Sequence, residues 1–195
     1  MESRLDKQLA FLNEVEKLKI VYRRNMTIDR SRRENSAEHS WHLALFALVL
    51  AEHSDERGLD MFKVVKMLLI HDLVEVYAGD TWIYDPTAGT VQADKELQSA
   101  RALFGMLPDD QALEFHNLWR EFEDRKTAEA VFAASLDSLQ PLSNHLISGL
   151  AEDSDELPSI ATVLNRKRHV AEGSQVLWHV AQQLIDQSAK RGLYK

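Results

Sequence analysis

Residues 61–78, MFKVVKMLLIHDLVEVYA, are apolar around most of a helical wheel: Met61, Phe62, Val64, Val65, Met67, Leu68, Leu69, Ile70, Leu73, Val74 and Val76. A helix of that kind is stable only when other elements surround it, so it belongs in the middle of a bundle. Yet it carries His71 and Asp72 side by side near its centre and Glu75 one turn on. An ionised carboxylate in such a place costs roughly several kcal/mol unless it is paired or bound to a metal. Spacings of three and four residues put His71, Asp72 and Glu75 on adjoining faces of one turn.

The rest of the chain reads at the same helical period. Seven glycines and four prolines in 195 residues are few breakers, and strand-like alternation is scarce. We expect helices over about 4–20, 35–53, 61–79, 92–106, 109–122 and 126–150, the last bent near Pro141, and a helix or pair over 159–190. The first has Leu5, Leu9, Leu12, Val15 and Leu18 on one stripe. Asn35 with Glu38 has the spacing of a capping box, and Asp60 caps the central helix. An irregular arginine-rich segment fills 22–35, TWIYDPTAGT forms the longest turn-rich loop, and AEDSDELPS makes an acidic one. The expected fold class is all-α, a helical bundle without a sheet, in one domain over 1–195.

Several function classes drop out. The chain has no cysteine, which excludes a thiolate metal site, a cysteine nucleophile and a disulfide framework. It shows no apolar run of membrane-spanning length and no signal-peptide core, so we expect a cytoplasmic protein without a membrane partner. A net charge of −8 argues against a long nucleic-acid backbone as ligand. It leaves room for a small phosphorylated ligand, because a local cluster, Arg23, Arg24, Arg30, Arg32 and Arg33, supplies positive charge.

Two further oddities stand beside His71 and Asp72. His39 lies in the first turn of the strongly apolar helix ENSAEHSWHLAL, and Asp137 interrupts the apolar stretch AASLDSLQPL. If His39, His71, Asp72 and Asp137 meet at one cation, each burial penalty is offset. Two imidazoles and two carboxylates suit one divalent metal such as Mn, Co, Ni, Fe or Zn, with Mg also open. An octahedral ion held by four side chains keeps two positions for water or substrate.

The ordered set H…HD…D on helices resembles the HD-domain metal-dependent phosphohydrolases. RRENSAEHS, HDLVE, the following GD and LDSLQP resemble the branch that contains bacterial 5′-deoxynucleotidases. The resemblance runs from about 18 to 150, with the C-terminal helices packing on that core. It implies that His39, His71, Asp72 and Asp137 ligate the metal and that Glu75 is the general acid/base. It implies that Asp80 lies at the sugar side and that Arg24 contacts the phosphate. Read for itself, the arginine-rich segment offers Arg24 first and Arg33 second as the guanidinium that faces the metal and a phosphate. Relatives of defined deoxynucleotidase activity carry tryptophan directly after that arginine; here Asn25 follows, which leaves the sugar and base preference open. Trp82 and Tyr84, in the loop after Asp80, are placed to line the mouth. His42 reads as a packed or supporting histidine.

The resemblance implies hydrolysis of a phosphate monoester, best a nucleoside 5′-monophosphate, by a homodimer using its first and last amphipathic helices. Two alternatives stand: hydrolysis of a nucleoside triphosphate, served by Arg30, Arg32 and Arg33, and a nucleotide-sensing metal module without turnover.

Overall fold

The computed structural model describes residues 3–81, 84, 89–149 and 157–195, with backbone alone at 89 and 90. Helix α1, Arg4–Val15, starts at Ser3, whose hydroxyl accepts from the Asp6 amide while the Asp6 carboxylate takes the Ser3 amide. It tightens into a 3-10 turn over Glu16–Ile20. Of its expected stripe, Leu18 is buried, but Leu5, Leu9 and Leu12 are exposed, and Phe11 makes the core contact instead.

The arginine-rich segment departs from expectation. Strands β1, Tyr22–Met26, and β2, Arg33–Asn35, pair antiparallel, so the fold is a helical bundle carrying one small hairpin rather than a bundle with no sheet. The turn between them has no Asn-Gly or Asp-Gly signal. It is built from side chains: Asp29 Oδ1 accepts from Thr27 Oγ1 at 2.6 Å and from the Ser31 amide at 3.1 Å. Arg30 takes the left-handed conformation, φ 59°, that glycine would usually supply.

Helix α2, Ser36–Leu50, opens on the expected capping box of Asn35 and Glu38. Asp60 caps α3, Met61–Ile70, through the Lys63 amide. The helix expected to run unbroken to residue 78 changes winding at His71. His71–Val74 form a 3-10 turn, and α4, Glu75–Ala78, resumes beyond it. The break costs backbone hydrogen bonds, and buried Ser99 repairs one by donating to the Val74 carbonyl. A 3-10 interruption within a helix commonly marks a functional position. Gly79 ends the run at φ 77°, ψ 155°, a conformation open essentially only to glycine, and turns the chain so that Asp80 follows.

Helices α5, Gly89–Phe104, and α6, Asp109–Asp124, cover α3 and the 3-10 turn. Helix α7, Ala128–Ser148, passes through Pro141 and packs on α2, α3 and β1. Pro141 has no N–H, so the Asp137 carbonyl has no helical donor four residues on. The C-terminal segment holds α8, Ile160–Lys167, α9, Val170–Gly173, and α10, Gln175–Lys190, which close over α7. Gly173 permits this approach: a Cβ there would lie 2.5 Å from Ser135 Oγ. The core, with Leu43, Ala47, Val64, Met67, Leu68, Phe132 and Leu136 all buried, sits where α2, α3 and α7 meet. None of the described helices is long and apolar enough to cross a membrane.

Candidate metal centre

Three central helices bring the four candidate ligands together. His39 comes from α2, His71 and Asp72 from the 3-10 turn, and Asp137 from α7. Ligand atoms of His39, His71 and Asp72 all lie within 4.8 Å of one another, and the three residues are buried. Asp137 Oδ1 is 3.0 Å from His39 Nε2 and 3.6 Å from His71 Nε2. Asp72 Oδ1 is 3.0 Å from His71 Nε2, and its Oδ2 is 3.9 Å from His39 Nε2.

The ring tautomers follow from the outer partners. His71 Nδ1 faces the Leu68 carbonyl at 2.9 Å, so that nitrogen carries the proton. His39 Nδ1 faces Gln140 Oε1 at 2.8 Å and carries its proton too. Both Nε2 atoms therefore point into the cluster: His39 Nε2 is in hydrogen-bond contact with Asp137 Oδ1 at 3.0 Å, and His71 Nε2 is a buried atom with no hydrogen-bond partner among the described residues. Two imidazole nitrogens and two carboxylates around such an orphaned acceptor fit a divalent cation.

Gln140 is itself held. Its amide nitrogen donates to Glu34 Oε1 at 3.1 Å and lies 3.2 Å from His42 Nδ1. His42 thus supports the centre through Gln140, with its ring edge-on to Phe46. Replacing Gln140 with leucine keeps the volume and removes the acceptor that fixes His39. The expected result is a metal affinity lower by about 10- to 100-fold, read by calorimetric titration, with the fold retained.

The charges explain how the cluster survives without metal. Burial works to lower the His71 pKa, but Asp72 and Asp137 overcome it and raise it to about 9. Burial works to raise Asp137, yet the hydrogen bond with His39 and the nearby His71 ring hold it well below the carboxylate range. A His71 pKa raised above its unfolded value stabilises the metal-free chain fully below about pH 6.5, and that support is lost as pH rises through about 9. The same proton competes with a metal for Nε2. Metal uptake at pH 7.5 should release about one proton from this ring, and apparent affinity should fall about tenfold per pH unit below 9. Titration in two buffers of different ionisation enthalpy measures that proton.

Glu75 and Asp80 lie beside the cluster. Glu75 Oε2 accepts from Ser36 Oγ at 2.6 Å. Burial and the Asp72 charge push the Glu75 carboxyl far above its ordinary range. Burial also raises Asp80, against the pull of the Arg23 charge.

The arginine that reaches this group is Arg23. Its Nη1 is 2.8 Å from Asp72 Oδ2 and 3.8 Å from Asp80 Oδ1, and its Nε is 4.0 Å from Glu34 Oε2. Alternation along β1 explains the choice: Arg23 and Asn25 are half-buried, whereas Tyr22 and Arg24 are exposed. The structure thus places Arg24, and likewise Arg33, on the exposed side of the hairpin. Asn25 Nδ2 donates to the Pro141 carbonyl at 3.0 Å and ties β1 to α7. Two other cations of the cluster serve the fold. Arg32 makes a two-pronged pair with Glu38 at 2.9 and 2.5 Å, and Arg30 donates to the Ile147 carbonyl at 3.3 Å. Trp82 lies outside the described residues. Tyr84 packs against the core, half-buried, and burial raises its hydroxyl to about 12. Sequence reasoning missed Ser36, Glu34 and Gln140, whose partners lie 39, 106 and 101 residues away.

The model of a family described as HD domain matches residues 15–178. That reach takes in α8 and α9, beyond the core of the expected resemblance. The chain is 42% identical to a predicted metal-dependent phosphohydrolase of Magnetospirillum magnetotacticum MS-1, whose crystal structure superposes with a TM-score of 0.90 over 99% of this chain and 96% of that one. PH0347 of Pyrococcus horikoshii OT3, 20% identical over 90% of this chain and 99% of that one, shares the fold at a TM-score of 0.68. Among curated proteins, human 5′-deoxynucleotidase HDDC2 is 30% identical over 133 residues, 68% of this chain and 63% of its own length. The Xenopus laevis protein of that name is 30% identical over 107 residues, 55% of this chain and 51% of its own. The chain thus spans between half and two thirds of the length of these curated relatives.

Proposed function

Because the chain belongs to the HD domain family, we propose that it is a metal-dependent phosphohydrolase that cleaves a nucleoside 5′-monophosphate to nucleoside and phosphate. One observation carries the proposal: His39, His71 and Asp72 bring ligand atoms to one point, Asp137 lies 3.0 Å from His39 Nε2, and half-buried Arg23 stands 2.8 Å from Asp72. The relatives' names support the substrate class. The proposal takes 1–195 as one HD unit, supported by the packing of α9 and α10 on α7.

His39, His71, Asp72 and Asp137 are the residues that would hold the cation. A divalent ion bound there supplies Lewis acidity toward a phosphate and lowers the pKa of a bound water. The chain's own groups do the rest. Arg23 presents a guanidinium suited to non-bridging phosphate oxygens, and takes the phosphate role first expected of Arg24. Glu75 holds the proton that the departing 5′-oxygen needs as its bond to phosphorus breaks, and Ser36 orients that carboxyl. Asp80 lies toward the sugar. Arg24 and Arg33 add exposed positive charge on the hairpin. With Arg32 and Arg30 bonded to the fold, a triphosphate has fewer cations to meet it, which favours the monophosphate.

A homodimer and a cytoplasmic place of action belong to the same proposal. Trp41, Leu45, Leu48 and Val49 form an exposed apolar stripe on α2, and Leu5, Leu9 and Leu12 form another on α1. Such stripes suit a second copy of the chain.

The test strips the protein with chelator and adds back Mn, Co, Ni, Zn or Mg singly. Ribo- and deoxynucleoside mono-, di- and triphosphates are then assayed for phosphate release. Phosphate from monophosphates is the expected result. Products of triphosphates alone would replace the substrate, and metal binding without turnover on any nucleotide would leave a sensing module.

A further inference from the structure

Glu34, in the middle of β2, is a buried carboxylate on the inner side of the hairpin. The residue is 6% exposed. Its two oxygens face different partners. Oε1 accepts from Gln140 Nε2 at 3.1 Å and from Asn144 Nδ2 at 3.4 Å, two residues one turn apart on α7. Oε2 has no hydrogen-bond partner among the described residues, and Arg23 Nε, on β1, stands 4.0 Å from it. Receiving two amide donors does not require a carboxylate, since a neutral amide oxygen accepts as well at a smaller burial cost. The charge and the second oxygen need another reason.

The first oxygen settles which way round Gln140 sits. An amide side chain offers an acceptor at one end and donors at the other, in nearly the same shape. An ionised carboxylate only accepts, so the end of Gln140 that meets Glu34 is Nε2, and Oε1 is left to face His39 Nδ1 at 2.8 Å. That arrangement keeps a proton on Nδ1 and leaves the Nε2 lone pair for a cation. Reversed, Gln140 would aim its hydrogens at Nδ1, and the one proton of the neutral ring would sit on Nε2, where it blocks the cation. The second oxygen lies on the Nε side of Arg23, whose Nη1 is 2.8 Å from Asp72 Oδ2. Negative charge on both sides of the guanidinium holds its fork in one setting. One carboxylate thus stands behind a candidate ligand on α2 and behind the cation of β1.

Resting on the phosphohydrolase proposal for the task of Arg23, we propose that Glu34 is a positioning residue: through Gln140 it sets the coordinating tautomer of His39, and directly it aims Arg23 at the phosphate. Metal affinity and phosphate affinity are thereby coupled through one carboxylate. The hairpin gains a purpose, since β1 carries the arginine and β2 carries the group that steadies it.

The experiment compares wild type with Glu34→Gln, Glu34→Met, Gln140→Leu and the double variant Glu34→Met/Gln140→Leu. Zinc, a diamagnetic ion, is titrated by calorimetry into the metal-free proteins, and inorganic phosphate into the zinc-loaded ones. The His39 Nδ1 proton of the zinc-loaded proteins is followed by NMR. Glu34→Met should lower zinc affinity about 10- to 100-fold and quicken exchange of the Nδ1 proton. Added to Gln140→Leu it should cost less than about threefold more, because both changes break the same line of hydrogen bonds. Glu34→Gln keeps the shape and loses the charge beside Arg23, so its phosphate affinity should fall about tenfold. Should Glu34→Met not fold, Glu34→Gln carries the His39 test as well: its amide no longer dictates which end of Gln140 it meets, and the Nδ1 proton should exchange faster. Unchanged zinc affinity and an unchanged Nδ1 proton in the Glu34 variants overturn the assignment. A full further loss of zinc affinity on the Gln140→Leu background overturns it too, because Glu34 would then act by holding the fold. Unchanged phosphate affinity in Glu34→Gln overturns the aiming of Arg23. If wild type hydrolyses no nucleotide, the phosphohydrolase proposal falls, and zinc affinity with the His39 proton still decides the role of Glu34.

Discussion

Asp72→Ala is expected to lose stoichiometric metal and to lower phosphate release by on the order of 10³-fold or more. This carboxylate joins every part of the site. One oxygen faces His71 Nε2, and the other lies between Arg23 and His39. Without it two imidazoles and one carboxylate remain, a weaker set for a hard or borderline cation. Removing its charge also relieves Glu75, whose carboxyl it helps to hold protonated, so the acid/base group loses part of its bias in the same step. The metal-free variant should be less stable by about 3 kcal/mol, the low end for breaking a buried pair, because Asp80 lies near enough to take over Arg23. Metal content after dialysis, phosphate release and denaturant unfolding of the metal-free protein are the three readouts. A variant that kept both metal and turnover would remove Asp72 from the centre.

Much of that centre was legible because polar residues in apolar helices are conspicuous. His71 and Asp72 interrupt a helix that has no solvent face to put them on. Asp137 does the same in α7. The capping pair Asn35–Glu38 follows from local geometry, and the α2 helix begins where that pair places it. Other features depend on contacts that no local pattern records. The hairpin is held by Asp29 and by an arginine in a left-handed turn, so its sequence lacks the usual turn residues. The change of winding at His71 is paid for by Ser99, 25 residues from the carbonyl it satisfies. The stripe of α1 has the right spacing for a core face, yet Phe11 is what the core receives. Glu34 gave no sign at all, since a glutamate beside arginines normally reads as solvated.

The arginine pair shows the same limit and yields the sharpest comparison. Residues 22–35 were expected to be irregular, and in an irregular segment Arg23 and Arg24 are equivalent. In a strand they are not, because successive side chains point to opposite faces. Arg23 turns inward to Asp72 and Asp80, where burial opposes its charge and the carboxylates Asp72, Glu75, Asp137 and Asp80 together secure it. Arg23→Ala is therefore expected to leave those carboxylates without their fixed cation and to lower metal-free stability by about 3–5 kcal/mol. It should also reduce kcat/KM by on the order of 10²- to 10³-fold by removing a phosphate donor. Arg24→Ala, on the exposed face, should change stability by no more than about 0.5 kcal/mol. Its kcat/KM should stay within about threefold, since an exposed charge in high dielectric contributes little. Arg23→Lys separates charge from geometry: it keeps the cation, should recover most of the stability, and should recover little of the rate, because a point charge cannot grip two phosphate oxygens as a fork does. If Arg24→Ala instead proved the damaging change, the inward register of β1 would not be the one that serves catalysis.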